Sequence, residues 1–446
     1  MNIFPRKKFY IKISGIAFPA IAGLSTQMIV SIVDAAIIGR LGDAEHSLAA
    51  MGIGVLATWV IVSFFSSLAT GTHILIARRY GENDFGSCSE VFNNSLLIGL
   101  LLGIFITAFG MLFSDHFAQL LAKDPVVGDL AGDFIFYRFL GIPFFLITVS
   151  FRGFLFGIGN TKIFMVSAIL VNALNILFNY IFVYGKLGFP AMGVAGSGLG
   201  SSLATICDAV YYFAVTSSGP IRKNFSLYRN IKADRDIIKS IFRLSLPVSL
   251  QNVFILIGFL TFIAITGLLG TLQQAASQTV ISALFLSFLP TYGFGIAAQT
   301  LVGNNIGRGK ILLAKIYAFE TAKIATYYTA FLGIVFIGIP EYILLVITTN
   351  HEIINTAVPA LRIAGFAQIF YAYGVVLANS LQSMGKTKYV MYSEVFTNLV
   401  LFAGLSYFLG IYLNGGILAA WFGLPVYVIT YSAIIVYKFN SIKSIR

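Results

Sequence analysis

Residues 162–184 read KIFMVSAILVNALNILFNYIFVY, and this stretch decides the class of fold. It is almost entirely apolar over about 20 residues, the length that an α-helix needs to cross a bilayer. Its three asparagines, Asn172, Asn175 and Asn179, are spaced by three and four residues, so they share one helix face. Buried amides need partners, so these could line a cavity or tie neighbouring helices together.

Apolar runs of this length recur along the whole chain. Of its 446 residues, 58% are hydrophobic and only 10% are charged, whereas soluble domains carry about 25% charged residues. We therefore predict an all-α integral membrane protein with twelve transmembrane helices. The predicted spans are 11–37, 49–73, 91–113, 134–156, 162–184, 193–216, 242–268, 276–301, 317–339, 357–381, 388–410 and 416–438.

The basic residues predict the orientation of these spans. Of 29 Lys and Arg residues, all but five fall on the side that carries both termini. The five on the other side are Arg40, Lys123, Arg138, Lys186 and Arg362. Basic loops are cytoplasmic, so we expect both termini in the cytoplasm of a bacterium, with the chain in the inner membrane. Their scatter between apolar runs argues against nucleic-acid binding.

An internal repeat divides the chain into two halves. FPAIAGLS (18–25) corresponds to LPVSLQN (246–252), and GNTK (159–162) corresponds to GKTK (385–388). Asn172 then pairs with Asn398. Because six spans per half is an even number, we expect two six-helix lobes related by a pseudo-two-fold axis along the membrane normal. The predicted domains are 1–216, a cytoplasmic linker at 217–241, and 242–446.

Three acidic residues fall inside predicted spans: Asp34, Asp208 and Glu394. A carboxylate at mid-bilayer costs about 2.5–3.5 kcal/mol on insertion scales, so each is a functional candidate. Each could bind a proton, or Na⁺ together with neutral oxygens. Each also has a passive alternative: Asp34 at the external interface, Asp208 hydrated near the cytoplasmic face, and Glu394 snorkelling toward water.

Other polar residues accompany these acids. Gln27 lies two turns before Asp34 on the same face, and Pro19 should bend the same helix. Span ten has a polar-aromatic face that includes Gln368 and Tyr371, which could bind flat cations or simply pack. The chain has no Walker loop and no histidine spacing typical of a metal site, so we expect neither a cofactor nor an enzyme.

These stretches resemble the multidrug and toxic compound extrusion (MATE) family. The carrying segments are FPAIAGLSTQMIVSIVDAAIIGRLG (18–42), TGTHILIARRYGENDFGSC (70–88), residues 156–205, QTLVGNNIGRGK (299–310) and NSLQSMGKTK (379–388). The resemblance covers nearly the whole chain. It implies twelve helices in two lobes around a V-shaped central cavity. It also implies efflux of organic cations or related drugs, driven by inward H⁺ or Na⁺.

The resemblance assigns roles to individual residues. Asp34 matches the family's span-one acid, and Pro19 matches a proline whose bending is tied to protonation of that acid. Gln27 matches a cavity-lining position. The remaining matches are Asn175 and Asn179 for the amide pair of span five, Thr205 for the hydroxyl of span six and, more loosely, Tyr137 for a span-four tyrosine.

The chain also departs from the family. Many relatives carry Asp where Asn179 stands. A branch with Asn at that position has second-lobe acids in spans seven and ten, but here span seven has none and Tyr371 stands in span ten. Asp34 is therefore the expected coupling residue, with Asp208 and Glu394 as candidate compensating acids.

The resulting hypothesis is a monomeric antiporter that exchanges small organic cations for H⁺ or Na⁺ by alternating access. Predicted coupling residues are Asp34, Asn175, Asn179, Thr205 and Tyr137, and the first three could hold Na⁺. Predicted substrate-cavity residues are Gln27, Asn172, Asp208, Gln368, Tyr371 and Glu394, with helix bending at Pro19 and Pro247. The alternatives are a lipid-linked oligosaccharide flippase, a membrane-embedded enzyme, and a receptor or channel.

Overall fold

The structure is a computed structural model that describes residues 6–229 and 231–442. Every regular element in these residues is helical. The helices are α1 (Lys7–Ile38), α2 (Ala44–Ser66), α3 (Leu68–Gly81), α4 (Phe85–Leu121), α5 (Pro125–Phe139), α6 (Ile142–Gly157), α7 (Thr161–Tyr184), α8 (Gly193–Thr216), α9 (Gly219–Phe225), α10 (Arg235–Leu269), α11 (Thr271–Gly307), α12 (Ile311–Gly338), α13 (Pro340–Leu345), α14 (His351–Ser383), α15 (Thr387–Phe396), α16 (Leu405–Tyr407), α17 (Gly416–Trp421) and α18 (Gly423–Ser441).

The long helices confirm the predicted membrane architecture. Within the described residues, 11 helical stretches are long and apolar enough to cross a membrane. The pair α5 and α6 brings the number to 12 if it forms one span, although its helices bend by 49° at their junction. Gly141 precedes α6, and Pro143 lies in its first turn, where a missing N–H is tolerated. The predicted span at 134–156 therefore contains a break between α5 and α6.

Most observed helices extend beyond the predicted spans. α4 covers Phe85–Leu121, whereas the sequence predicted 91–113. The helix continues through polar residues at both ends because the backbone still satisfies its own hydrogen bonds there. The predicted orientation of the termini stays a prediction, and Lys443 and Arg446, two of the charges that support it, lie outside the described residues.

The contacts divide the chain into two compact units. Unit 1 combines the described residues of Met1–Ile21 and Pro247–Arg446, and unit 2 comprises Ala22–Leu246. Both borders lie inside a helix, α1 or α10, and near its internal proline, Pro19 or Pro247. A proline removes one hydrogen bond from a helix interior, which makes it the natural place for a bend. The predicted bending, like the predicted domain boundaries at 1–216, 217–241 and 242–446, stays a prediction.

The predicted linker contains ordered structure that is attached to unit 2. It includes α9 and the first turns of α10. Asn93 of α4 accepts a hydrogen bond from the backbone N–H of Tyr228 at 3.2 Å, and its amide nitrogen donates to the carbonyl of Arg229 at 3.4 Å. Asn94 accepts from the N–H of Asp234 at 2.8 Å. We call Asn93 and Asn94 the linker strap, since they fasten this segment to α4.

Two π-helical segments interrupt the eleventh predicted span. They cover Thr397–Gly404 and Phe408–Tyr412 and flank the single α-helical turn α16. A π-turn inserts an extra residue and shifts the side chains that follow around the helix. The first segment begins three residues after Glu394, in unit 1.

Candidate functional site

The Asp34 carboxylate begins a chain of hydrogen bonds across three helices of unit 2. Asp34 lies near the end of α1, and its Oδ1 accepts from Asn179 Nδ2 on α7 at 2.7 Å. The same Nδ2 lies 3.2 Å from Asn175 Oδ1, one turn earlier. Asn175 in turn donates to Ser201 Oγ on α8 at 2.9 Å. Thus two of the three asparagines on this helix face connect α1, α7 and α8.

One polar atom in this chain of hydrogen bonds, Asn179 Oδ1, has no partner among the described residues. Asn179 is fully buried, and its Oδ1 accepts no hydrogen bond. A Cβ at Gly200 on α8 would lie only 2.3 Å from that oxygen. The absence of a side chain at Gly200 therefore allows α8 to approach Asn179 closely. A buried amide oxygen without a donor costs about 1–3 kcal/mol, which makes it a candidate acceptor for an arriving ligand.

Two further residues border the Asp34 chain. Thr205 donates to the carbonyl of Ser201 at 2.8 Å, so its hydroxyl lies one turn from the Asn175 contact. Arg138 of α5 lies close enough to interact electrostatically with the Asp34 carboxylate. Ser201 and Arg138 were not predicted as site residues. A serine in a helix rich in small residues suggests only helix packing, and the sequence placed Arg138 among the charges outside the cytoplasmic side.

Three predicted residues lie outside this hydrogen-bond chain. Asn172 donates to Thr26 of α1 at 2.6 Å, which agrees with the helix-tying alternative. The Gln27 side chain is exposed on α1. Tyr137 contributes its backbone carbonyl, which accepts from Ser202 at 2.7 Å.

Asp208 forms a separate, buried ion pair in unit 2. It is 3% exposed, and Arg152 Nη2 of α6 lies 3.5 Å from its Oδ2. Ser167 of α7 donates a short hydrogen bond to its other oxygen. The Arg152 guanidinium also lies over the ring of Phe164, 5.3 Å from the centroid. Asp208 is thus enclosed by protein partners, and Arg152 is not the free loop charge that the topology count assumed.

Glu394 occupies a comparable position in unit 1, with different partners. It is 3% exposed on α15, so the structure does not show it snorkelling to water. Tyr427 of α18 donates a short hydrogen bond to its Oε1. Tyr431 and Gln251 also lie close enough to interact with this carboxyl group. Tyr427, Tyr431 and Gln251 were not predicted, although the spacing of four between the tyrosines places them on one face of α18.

The two predicted cavity residues of α14 have distinct environments. Tyr371 is half-buried and close enough to Glu394 to interact electrostatically. It also packs against the ring of Phe288 of α11 at 5.0 Å between centroids. Gln368 is 2% exposed, and its Oε1 has no hydrogen-bond partner.

The ligand groups around Asp34 fit a proton or a small monovalent cation better than a transition metal. It offers one carboxylate, two amides and two hydroxyls, with no sulfur or imidazole ligand among those described. Among residues 6–229 and 231–442, no group of three or more His, Cys, Asp or Glu side chains is arranged to hold a metal ion. Oxygen ligands of this kind suit hard cations.

A family model establishes the kinship of the chain. The MatE model matches two segments, residues 19–181 and 247–408. The chain belongs to the MatE family. It is therefore a MATE family transporter, as the resemblance of its sequence implied. One model matching both halves also confirms the internal repeat, and the matched segments start at Pro19 and Pro247.

Relatives of this MatE protein are named as multidrug resistance proteins. A probable multidrug resistance protein NorM from Thermotoga maritima is 25% identical over 413 residues, covering 92% of this chain and 87% of the relative. A probable multidrug resistance protein YoeA from Bacillus subtilis is 20% identical over 373 residues, covering 82% and 80%. The similarity thus runs through nearly the full length of both halves.

Solved structures share the fold of this MatE protein. A MOP superfamily transporter from Pyrococcus furiosus matches with a TM-score of 0.87 at 21% identity, covering 99% of this chain and 100% of that one. An outward-facing multidrug resistance MATE transporter of the MOP superfamily matches with a TM-score of 0.86 at 22% identity, covering 96% and 94%. These matches confirm the two-lobed all-α membrane architecture.

Proposed function

We propose that this MATE transporter exports organic cations or related drugs from the bacterial cytoplasm in exchange for H⁺ or Na⁺. The printed names of its relatives, which describe multidrug resistance proteins, support the substrate class. The proposal includes alternating access, a position in the inner membrane with both termini cytoplasmic, a monomeric state, and no enzymatic reaction. The observation that carries it is the Asp34–Asn179 hydrogen bond beside an unpartnered buried oxygen.

The geometry suggests how ion binding would alter unit 2. The ionised Asp34 accepts a hydrogen bond from Asn179, and hydrogen bonds to charged groups contribute about 1.5–3 kcal/mol. When Asp34 takes up a proton, it gains an O–H donor. The free Oδ1 of Asn179 is an acceptor for that donor if the amide turns over. Turning this amide breaks the contact with Asn175, so the packing of α1, α7 and α8 changes together.

A cation would use the same groups differently. Na⁺ at Asp34 would take the carboxylate oxygens and the free Asn179 oxygen as ligands, with Asn175 and Thr205 nearby. Either ion can drive transport only through its differential affinity for the two conformations. The donor set is compatible with both ions.

The flippase alternative is less well supported by the charges near the spans. A pyrophosphate-linked substrate requires free cationic groups, because phosphates bind to Arg and Lys. Arg152 is paired with Asp208, and Arg138 interacts with Asp34. Arg152 is therefore not a free cation, and the charge of Arg138 is partly offset by the Asp34 carboxylate.

The test is efflux of a fluorescent cation such as ethidium from proteoliposomes, under an imposed pH gradient and separately under a Na⁺ gradient. Asp34→Asn is compared with wild type and with Asp129→Asn, which removes an exposed acid of the same unit. We expect Asp34→Asn to lose gradient-driven efflux while Asp129→Asn retains it. Unchanged efflux in Asp34→Asn would contradict the coupling role, and the effective gradient identifies the ion.

A further inference from the structure

Glu394 is a buried acid that lacks a cation partner. In the part of the chain that the structure describes, Tyr427 donates the hydrogen bond to Glu394, and Tyr431 and Gln251, which are also neutral, lie close enough to interact with it. None of the ion pairs involves this residue. Tyr371 and Tyr292 are the other titratable groups that interact with it. A buried carboxylate with no counter-ion is costly, so the neutral acid is the favoured form in this conformation.

The groups around Glu394 present hydrogen-bond donors. Gln251, whose Oε1 accepts from Gln382 Nε2 at 3.1 Å, lies close enough to interact with this carboxyl group. Tyr427 donates its O–H to it. That hydroxyl directs a hydrogen atom, and not an oxygen lone pair, at the carboxyl group, which favours a proton over Na⁺ at this position. Donors around a carboxyl group instead allow it to exist transiently as an anion when its proton leaves.

In the internal repeat, the position of Glu394 corresponds to a position beside the Asp208 ion pair in the other unit. The two segments matched by the family model start 228 residues apart, at 19 and 247, and end 227 apart, at 181 and 408. At the offset of 226 that pairs GNTK with GKTK and Asn172 with Asn398, Glu394 corresponds to Ala168, the neighbour of Ser167, which donates to Asp208. Both units thus bury one carboxyl group between their fifth and sixth repeat helices. In unit 2, the ion pair with Arg152 keeps the Asp208 carboxylate charged. In the described part of unit 1, Glu394 has no such cationic partner.

The local helix geometry adds an independent observation. π-helical turns begin at Thr397, three residues after Glu394, and such turns are frequent at functional sites. Asn398, one turn after Glu394, is fully buried, and neither of its side-chain polar atoms has a partner. Unsatisfied amides and irregular turns beside a buried acid favour rearrangement over a fixed structural role.

We propose that Glu394 is a second proton-binding site, which takes up and releases one proton during each transport cycle. The proton comes from water on the side of higher proton concentration, and an O–H bond forms on a carboxylate oxygen of Glu394. Release breaks that bond and returns the proton to water on the opposite side, with Tyr427, Tyr431 and Gln251 solvating the anion meanwhile. The cyclic role rests on the proposed function, whereas proton binding itself does not.

Infrared difference spectroscopy at stepped pH tests proton binding without any transported substrate. The protonated carboxyl group has a C=O stretching band that disappears on ionisation. We expect wild type to show such a band for a buried acid, and Glu394→Gln to lose it. Glu320→Gln is the matched control, because Glu320 is also buried in unit 1 but pairs with Lys323 at 3.1 Å. The band should survive in that control.

Two further variants serve as controls for the infrared experiment. Glu394→Asp keeps an acid and should shift the band rather than remove it, which separates loss of the site from loss of folding. Tyr427→Phe removes one donor and should move the pH midpoint of the band. A spectrum that is unchanged in Glu394→Gln, or the absence of any such band at every pH in folded wild type, would overturn the proposal, whereas a band that remains in Glu394→Gln but is lost in Asp34→Asn belongs to Asp34. Loss of the band on adding Na⁺ at fixed pH would overturn the assignment to a proton alone.

Transport assays separate this inference from the proposed function. We expect Glu394→Gln in proteoliposomes to retain substrate exchange without a gradient and to lose at least tenfold in efflux driven by a pH gradient. Equal gradient-driven efflux in wild type and Glu394→Gln would refute the cyclic role. If wild type moves no organic cation under either gradient, the proposed function fails, and the infrared result still decides proton binding.

Discussion

Asn179 Nδ2 lies 2.7 Å from Asp34 Oδ1 and 3.2 Å from Asn175 Oδ1, so a single amide group joins the acid of α1 to the neighbouring turn of α7. This makes Asn179 the residue through which a change at Asp34 reaches α7 and α8. Its own oxygen remains unpartnered. The state of one carboxyl group is thereby linked to the packing of three helices.

Replacement of the linking amide should uncouple transport. We expect Asn179→Ala to lower gradient-driven efflux at least tenfold, because Asp34 loses its donor. Asn172→Ala is the control on the same helix, since Asn172 bonds to Thr26 and not to Asp34. Efflux from proteoliposomes measures both variants. A larger loss in Asn172→Ala than in Asn179→Ala would contradict the linking role.

The close approach of α8 to α7 gives a second prediction, which involves no charge. A Cβ at Gly200 would lie 2.3 Å from Asn179 Oδ1, so Gly200→Ala should displace that amide and impair coupling. Gly52→Ala in α2 is the control, because nothing lies within 4 Å of its added Cβ. We expect efflux to fall only in Gly200→Ala, whereas Gly52→Ala should stabilise its helix by up to about 1 kcal/mol. Normal efflux in Gly200→Ala would show that the contact can relax.

The buried ion pair of unit 2 should matter mainly for stability. Removing one partner of a buried pair leaves an uncompensated charge and typically costs about 3–5 kcal/mol. We expect Arg152→Met to lower the thermal unfolding temperature in detergent strongly, since Asp208 is 3% exposed. The double variant Arg152→Met/Asp208→Asn should recover most of the loss. No recovery would mean that Arg152 acts through its contact with Phe164 instead.

The first turn of α4 supplies a pH-dependent contribution outside the membrane-spanning segments. Asp84 precedes α4 and accepts a hydrogen bond from the N–H of Ser87 at 2.9 Å. The hydrogen bonds from Ser87 lower the pKa of Asp84 below its usual 3.8. A lowered pKa means that the stabilisation is present above pH 3.8 and is lost as the pH falls through the pKa of the folded state.

Asp84→Ala should therefore reduce stability by about 1 kcal/mol at neutral pH, the usual contribution of an N-cap side chain. The difference from wild type should shrink in acid. Asp84→Asn keeps a capping oxygen without the titration, so its stability should be close to that of wild type at neutral pH. Thermal unfolding in detergent across the pH range measures all three proteins. A pH-independent difference for Asp84→Ala would contradict the capping account.

The linker strap predicts protease resistance. Asn93 and Asn94 are nearly fully buried and hold the backbone of Tyr228, Arg229 and Asp234 through side-chain hydrogen bonds. We expect Asn93→Ala/Asn94→Ala to speed tryptic cleavage after Arg229 and Lys232 severalfold, followed by gel electrophoresis. Asn350→Ala is the control, because that residue caps α14 at a different place in the chain. Equal cleavage rates in all variants would show that other contacts fix the linker.

The architecture was predictable because the bilayer leaves the chain few choices. A run such as residues 162–184 must form a helix, since lipid offers no hydrogen bonds to the backbone. The spacing of Asn172, Asn175 and Asn179 likewise predicted a shared face. The break between α5 and α6 was not predicted, because its residues are as apolar as those of an unbroken span.

The partners of Asp208 and Glu394 could not be predicted from the sequence. Ser167, 41 positions before Asp208, and Tyr427, 33 positions after Glu394, become neighbours of these acids only through helix packing. No periodicity within one helix reports which face of another helix it meets. The hydration expected in the passive alternatives for Asp208 and Glu394 is not observed, because burial depends on neighbours that a single span does not specify.

The assignment of the start of α1 to unit 1 has a consequence for the order of events at the ribosome. Phe18 packs against Phe294 of α11 at 6.4 Å between ring centroids, and a Cβ at Gly293 would meet Ile21. The first half of α1 thus meets these partners only after more than half of the chain has been synthesised. Unit 1 therefore completes its assembly late in synthesis, once α11 has been made.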